Sequence, residues 1–564
     1  MMERKTAIGW QSFEAMRNLN IFYVDKTGLI KEWWDNRDAV TLITRPRRFG
    51  KTLNLDMLNC FFSNKYANRS DLFEGLSIWE DERFRKIQGT YPVIFMSFAS
   101  VKSGDTDKIK AAVKQIISNI YDSFQNIMQS EVFSDKDREY YACVSNEMSD
   151  EMAYSAINQL CIYLERYYGK KVIVLLDEYD TPMQEAWLAG NWDVAVEFFR
   201  CLFNSTFKTN ANLERGMITG ITRISKESIF SDLNNPEVIT TTSSKYAVHF
   251  GFTEQEVFEA LDEMGLEKEK DGVKQWYDGF TFGNVNDIYN PWSIMSFINN
   301  NGVYDTYWAD TSGNGLISSL IQKGTVNIKQ TMEQLLKGES FETVIDEQIV
   351  FNQLDSNPEA IWSLMVATGY LKVEKIEYVG RLLKKVYTLR ITNTEVESMF
   401  SKMIEAWFSS SEGVYNDFVK ALLMDDIESM NEFMNRIALI SFSSFDTSNG
   451  TASIDAPERF YHGFVLGLMV GLEGRFVITS NKESGFGRYD VMLTPLDKTR
   501  DNAYIIEFKV YKPQKEKNLK ETVSNAHKQI EDKHYEAYLI ANGIESERIR
   551  KYGFAFEGKT VLIG

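Results

Sequence analysis

The sequence predicts an α/β protein. It reads as a parallel sheet bearing a phosphate-binding loop, a helical lid, a winged-helix-like module, and a second, smaller α/β domain at the C-terminal end. Three stretches carry that reading. VTLIT (40–44) is a β-branched run that breaks into the loop RPRRFGKT (45–52), and a helix opens at Gly50, Lys51 and Thr52. KVIVLLDEYD (171–180) is a continuous apolar run ending in carboxylates, the pattern of a central parallel strand covered on both faces. AYIIEFKV (503–510) sets a carboxylate and an ammonium two residues apart inside another apolar strand.

Strand, loop, Gly-Lys-Thr and helix together make an anion site. Backbone N–H groups and the helix N-terminus face phosphate oxygens, Lys51 reaches the β/γ oxygens, and the Thr52 hydroxyl is a Mg²⁺ ligand. The common motif starts with Gly five residues before its second Gly, and here that position is Arg45. The second strand answers the first: Asp177 at its C-terminal end is placed to hold Mg²⁺ through water, and Glu178 to polarise an attacking water. GMITGIT (216–222) is a further strand with small polar residues, and Arg223 follows it. A polar side chain of this strand reads as a sensor of the γ-phosphate and Arg223 as a stabiliser of transition-state charge, or else the two are a strand-end Thr bonded to backbone and a solvated Arg.

Around these strands the chain reads in order. Tyr23, Asp25 and Lys26 are either base or ribose contacts or a turn entering a helix. YPVIFMSF (91–98) is a sheet strand, and 105–166 is mainly helical, with apolar spacing at Ile109, Val113, Ile116 and Ile120. Thr181-Pro182 suits an N-cap and first helical position. Thr253 and Glu256 suit a capping box. The aromatic, Gly-punctuated 276–283 and 289–298 read as lid packing. Short helices precede a strand-like 370–373 and a hairpin candidate at 382–391, the order of a winged helix.

The chain has 564 residues, 44% of them hydrophobic, which is too long for one core and predicts two to four domains. The limits expected are 1–255 for the nucleotide core, 256–325 for the lid, 326–440 for the connector and 441–564 for the last domain. No apolar run approaches the ~20 residues of a membrane helix. Nothing at the N-terminus resembles a signal peptide, so a cytoplasmic protein without membrane partners is expected. Cys60, Cys143, Cys161 and Cys201 have no metal-binding spacing and read as buried thiols of a reducing compartment. A net charge of −18 excludes broad, nonspecific adhesion to nucleic acid but not a local basic groove.

Beyond the polar stretch 441–451, Glu458 and His462 share one helix face, GRYDVML (487–493) opens a strand at Asp490, and Glu507 and Lys509 face one side of the next strand. A hairpin of the two strands brings Asp490 to that pair. Such carboxylates suit Mg²⁺ or Mn²⁺, and the lysine suits a pentacovalent phosphate, the needs of phosphodiester hydrolysis. Gln529 and Tyr535, on the following helix, read as nucleic-acid contacts or as surface residues.

With these motifs in hand, the chain resembles a bacterial family that pairs an AAA-ATPase-like domain with a C-terminal PD-(D/E)XK, restriction-endonuclease-like domain. The marks are YVDKT (23–27), RPRRFGKT, LLDEYD (175–180), GITRISKESIFSDLNN (220–235), ERFYHG (458–463), SNKESGFGRYD (480–490) and IIEFKV (505–510). Arg at the first loop position is normal in that family. The resemblance implies ATP and Mg²⁺ at Lys51, Thr52, Asp177 and Glu178; Arg47, Arg48, Phe49 and Gly50 of the loop, and Arg223, are expected beside them at the nucleotide. It implies Glu458, Asp490, Glu507 and Lys509 as the metal and catalytic set of the nuclease. DNA is expected ahead of RNA as substrate, an ATP-regulated endonuclease of defence or mobile-element type as function, and a homo-oligomer is compatible with an arginine acting across subunits. The rival reading is a nucleotide-gated scaffold whose nuclease-like domain only binds nucleic acid.

Overall fold

Parallel strands need long crossovers, and the first half of the chain supplies them as helices. The computed structural model describes residues 6–223, 236–308, 314–323, 326–336, 338–346, 359–381, 383–409, 412–441, 469, 472, 475–480, 483–484, 487–557 and 560–564. It divides into two compact units, Met1–Ile317 with Gly338–Glu397, and Ser318–Lys337 with Ser398–Gly564.

In the first unit β1 (Val40–Thr44), β2 (Val93–Ser97), β3 (Val172–Asp177), β4 (Leu213–Gly220) and β5 (Pro236–Ile239) form one parallel sheet in the order β2-β3-β4-β1-β5. All pairings are parallel. Every residue of β1 and β3 is buried, which is why these strands read as unbroken apolar runs. Ile43, Ile173, Leu175 and Met217 share a core with helices Gly28–Asn36 and Lys51–Phe62. Their alternating neighbours Leu42, Val174 and Leu176 are buried as deeply, so the sheet is covered twice. Each such side chain contributes about 1.5–3 kcal/mol. Helices Thr106–Ser123 and Asp150–Tyr168 contact β2 and β3. On the first of these, Ile117 and not Ile116 is fully buried beside Ile109, Val113 and Ile120.

The lid is not purely helical. Helices Glu254–Glu263, Lys270–Tyr277 and Pro291–Asn299 surround a small antiparallel sheet of β6 (Phe252–Thr253), β7 (Phe280–Phe282) and β8 (Val285–Tyr289), ordered β6-β8-β7. Strands of two to five residues rich in Gly and aromatics leave no alternating pattern to read. The expected capping box of Thr253 and Glu256 is present. Glu256 does more: both its carboxylate oxygens accept from Lys26 Nζ, at 2.7 and 2.6 Å, and Lys26 also donates to Val248 O. Asp25 accepts from Thr27 and from Ser77 N, and Tyr23 donates to Met57 Sδ. The YVDKT stretch is therefore a structural clamp that ties the helix after β1 and Ser77 to helix Glu254–Glu263, the second of the two readings its sequence allowed. A three-stranded sheet follows, β9 (Phe341–Thr343), β10 (Leu371–Val379) and β11 (Lys384–Ile391), ordered β10-β11-β9, with helix Ala360–Ala367 between β9 and the β10–β11 hairpin. The hairpin is longer than expected, Leu371 pairing with Ile391.

In the second unit β12 (Phe476–Ser480), β15 (Val491–Pro495), β16 (Ala503–Val510), β17 (Ile549–Glu557) and β18 (Thr560–Ile563) lie side by side in that order, with a two-stranded ribbon β13 (Glu483–Ser484) and β14 (Gly487–Arg488) between the first two. Only β16 and β17 are parallel, joined through helix Leu519–Asp532. Helices Glu412–Leu423 and Ile427–Ser441 share a core with this sheet through Phe418, Leu422, Met430 and Met434. Among the described residues no helix is long and apolar enough to cross a membrane. Cys60 and Cys161 are buried, Cys201 is half-buried, and Cys143 is exposed, contrary to the expectation that all four are buried.

Lys26 is 6% exposed, so removing its carboxylate partner strands a buried ammonium. Glu256→Gln should destabilise the protein by about 3 kcal/mol, read as a lower urea midpoint with an unchanged slope.

Candidate nucleotide and phosphodiester sites

Gly50 takes φ +78° at the N-cap of helix Lys51–Phe62, the left-handed turn that lets the loop close over the helix N-terminus. Arg45, the anomalous first loop residue, is fully buried. Its guanidinium donates to Thr44 O (3.0 Å) and Thr240 O (2.6 Å) and stacks 4.3 Å from the centre of the Phe282 ring. An arginine here fastens the loop to the segment after β5 and to the lid. Phe49, expected at the nucleotide, is buried against Phe280 and Phe282, so only its backbone is placed to serve a ligand. Arg48 is exposed at φ +66°, its guanidinium 4.1 Å from the Trp292 ring centre. The Arg47 carbonyl accepts from Asn290 Nδ2 and Trp308 Nε1.

Lys51 is buried and donates to the loop's own carbonyls, Arg45 O at 2.9 Å and Pro46 O at 2.7 Å. Burial pulls its pKa down to about 8, against the opposing pull of Glu178, Asp177 and Asp180. One residue on, Thr52 Oγ1 donates to Asp177 Oδ2 at 2.7 Å, and Thr219 Oγ1, from the intervening strand β4, donates to Asp177 Oδ1 at 2.6 Å. Asp177 is fully buried, and burial holds its carboxyl above the ordinary range although both hydroxyls pull it back. Glu178 turns out of the strand with φ +51°, an uncommon backbone for such a residue, and accepts from Thr181 Oγ1. Asp180, rather than Thr181, is the N-cap of helix Thr181–Leu188.

Two residues the sequence reading passed over fix the end of β4. Asp180 Oδ2 accepts from Ile221 N, Thr222 N and Thr222 Oγ1, and the Tyr179 hydroxyl donates to Thr222 O. Their signal was present as the last two letters of LLDEYD. Arg223 is half-buried immediately after this clasp. The rest of its motif, 224–235, lies outside the described residues.

In the second unit, strand alternation sorts the site. Tyr504, Ile506 and Phe508 face the helices before the sheet, whereas Ala503 and Ile505 pack with Ile530 and Tyr535 of the following helical segment. Glu507 and Lys509 share that latter face. Glu507 is 1% exposed, and Lys509 Nζ lies 3.3 Å from its Oε1. Val491 pairs with Ile506, which sets Asp490 beside Glu507, and Asp490 Oδ2 accepts from Phe508 N at 2.7 Å. Gln529 donates to Glu507 Oε1 and to the Tyr535 hydroxyl. Burial raises Tyr535, and Glu507 and Asp490 add to the rise. Gln529 and Tyr535 thus belong to the carboxylate cluster. Glu458 and His462 lie outside the described residues. Among the described residues no group of three or more His, Cys, Asp or Glu forms a metal cage. Two oxygen-donor carboxylates beside a lysine nonetheless fit a hard divalent cation.

Residues 7–230 match the family described as Predicted AAA-ATPase, and residues 456–564 match the PD-(D/E)XK nuclease superfamily. The chain thus joins an AAA-ATPase-like domain to a nuclease-superfamily domain. It is similar to the "Uncharacterized protein in vnfD 5'region" of Azotobacter chroococcum mcd 1, with 25% identity over 411 residues, covering 72% of this chain and 70% of that one.

At Gly220 a Cβ would stand 2.6 Å from the Tyr179 ring and 2.7 Å from Asp180 Oδ1. Gly220→Ala should cost about 1–3 kcal/mol by overpacking, seen in denaturant titration, and should move Thr219 off Asp177.

Proposed function

We propose that the N-terminal domain binds and hydrolyses ATP with Mg²⁺, and that the C-terminal domain is a metal-dependent DNA endonuclease governed by the nucleotide. The reading is carried by one observation: Thr52 and Thr219 converge on Asp177 next to Lys51, while Asp490, Glu507 and Lys509 meet on one sheet face of the same chain. In the first site Lys51 exchanges its two carbonyl partners for phosphate oxygens, and the backbone N–H groups of 48–52 cradle them. Thr52 and Asp177 hold Mg²⁺, which neutralises phosphate charge. Glu178 orients the attacking water, and Arg223, Arg47 or Arg48 meets the charge of the transition state.

In the second site Asp490 and Glu507 would hold Mg²⁺ or Mn²⁺, joined by Glu458 as the family resemblance implies, and the metal would supply an activated water. Gln529 fixes the Glu507 carboxylate, and Lys509 stabilises the phosphorane oxygens. Glu507→Gln should abolish cleavage of linear DNA while leaving DNA binding intact. Lys509→Ala should slow cleavage by ~10²–10³. Wild-type protein that binds DNA but cuts nothing with either metal would make the domain a binding module.

Lys51 gives a pH test. Its ammonium, depressed to about 8 by burial, is lost as pH rises through that value in the nucleotide-free protein. Phosphate requires the charged form, so ATP affinity should change little from pH 7 to 8 and fall roughly tenfold per unit above it. Calorimetric titration of wild type and Lys51→Met between those limits and pH 9.5 checks this, the variant being weak and flat.

A further inference from the structure

The β10–β11 hairpin ends in a tip that is both apolar and basic. Tyr378, Val379 and Leu383 are 61%, 54% and 66% exposed, and Ile376 is 41% exposed on the approach. Arg381, Lys384 and Lys385 are exposed among them, and the register sets Val379 opposite Lys384 and Tyr378 opposite Lys385. Acidic residues of the hairpin stand further back and are already matched: Glu377 pairs with Lys375 at 2.7 Å and Glu374 with Arg390 at 3.5 Å. No ion pair reaches the three tip cations among the described residues. Gly380 takes φ +73° next to this end of the ladder, where Tyr378 and Lys385 lie on one face and Val379 and Lys384 on the other.

From this geometry we infer that the hairpin tip is a nucleic-acid contact, its three cations meeting backbone phosphates and Tyr378 stacking on, or wedging between, bases. The inference rests on the reading of the C-terminal domain as one that acts on DNA, and it names where the chain grips that substrate. A net charge of −18 repels a polyanion at long range, so binding must be concentrated where positive charge is local and unmatched. Aromatic and aliphatic side chains interleaved with cations are what a base stack or a minor groove receives.

The test uses the full-length protein and fluorescently labelled duplex and single-stranded oligonucleotides, with divalent metal chelated so that nothing is cut. Arg381→Glu, Lys384→Glu and Lys385→Glu combined should weaken binding by roughly ten- to a hundredfold and lower the slope of log affinity against log salt by about 2–3. Tyr378→Ala should weaken single-strand binding by roughly tenfold. A control reversing Lys102, Lys108 and Lys136, all exposed, changes net charge equally and should leave affinity within about twofold of wild type. ATP hydrolysis and thermal midpoint should be the same in all. Equal affinity in wild type and the hairpin triple variant overturns the inference, as does an equal loss in the control. Loss of binding to anionic phospholipid vesicles with nucleic-acid binding intact overturns it in favour of a lipid surface. Because binding is read without cleavage, a protein that grips DNA through the tip yet never cuts it would sink the nuclease reading alone.

Discussion

The nucleotide site depends on one buried carboxylate. Asp177 sits at the end of a strand buried on both faces, where ionising it costs several kcal/mol unless its oxygens are satisfied. Thr52 and Thr219 satisfy one oxygen each, from the helix after β1 and from β4. Three strands are thereby registered on one side chain. Close by, the buried Lys51 ammonium rests on two carbonyls and forms no ion pair with Asp177. Cation and anion are each solvated by neutral protein dipoles and kept apart. In the proposed nucleotide site a phosphate reaching Lys51 would replace neutral carbonyl partners and would have no Lys51–Asp177 salt bridge to break.

The second site is built the opposite way. Glu507 and Lys509 are bonded directly, because two residues on one strand face leave no room for an intervening strand. The crossover helix adds a further tie there: Gln529 reaches down to Glu507 and links it to Tyr535. The loop arginine of the first domain makes a related point. Arg45 occupies a glycine's place in the common motif, and it uses a large side chain to fasten the loop from behind.

Much of this was legible in the sequence, and the reason is burial. Doubly covered strands write themselves as apolar runs, so β1, β3 and β16 were readable, and strand alternation correctly put Glu507, Lys509 and Asp490 on one face. Spatial order was not readable: nothing in VTLIT or KVIVLLDEYD says that β4 lies between them, so the role of Thr219 was missed. Short strands with glycines and aromatics hid the lid sheet. Phe49 was assigned to the ligand by its place in the motif, yet lid aromatics far along the chain bury it. The polar stretch after 441 reads as a domain limit, whereas the amphipathic helices before it belong to the same compact unit as the C-terminal sheet and pack on it, a contact with no local signature.

The proposed control of one domain's chemistry by the other's nucleotide is open to a single comparison. The direct measurement is the rate of linear duplex cleavage by wild type and Lys51→Ala, side by side, with Mg²⁺ and with ATP present or absent. The account predicts that ATP changes the wild-type rate and that the variant, with its nuclease residues intact, no longer responds. Identical rates in both proteins under both conditions would contradict it.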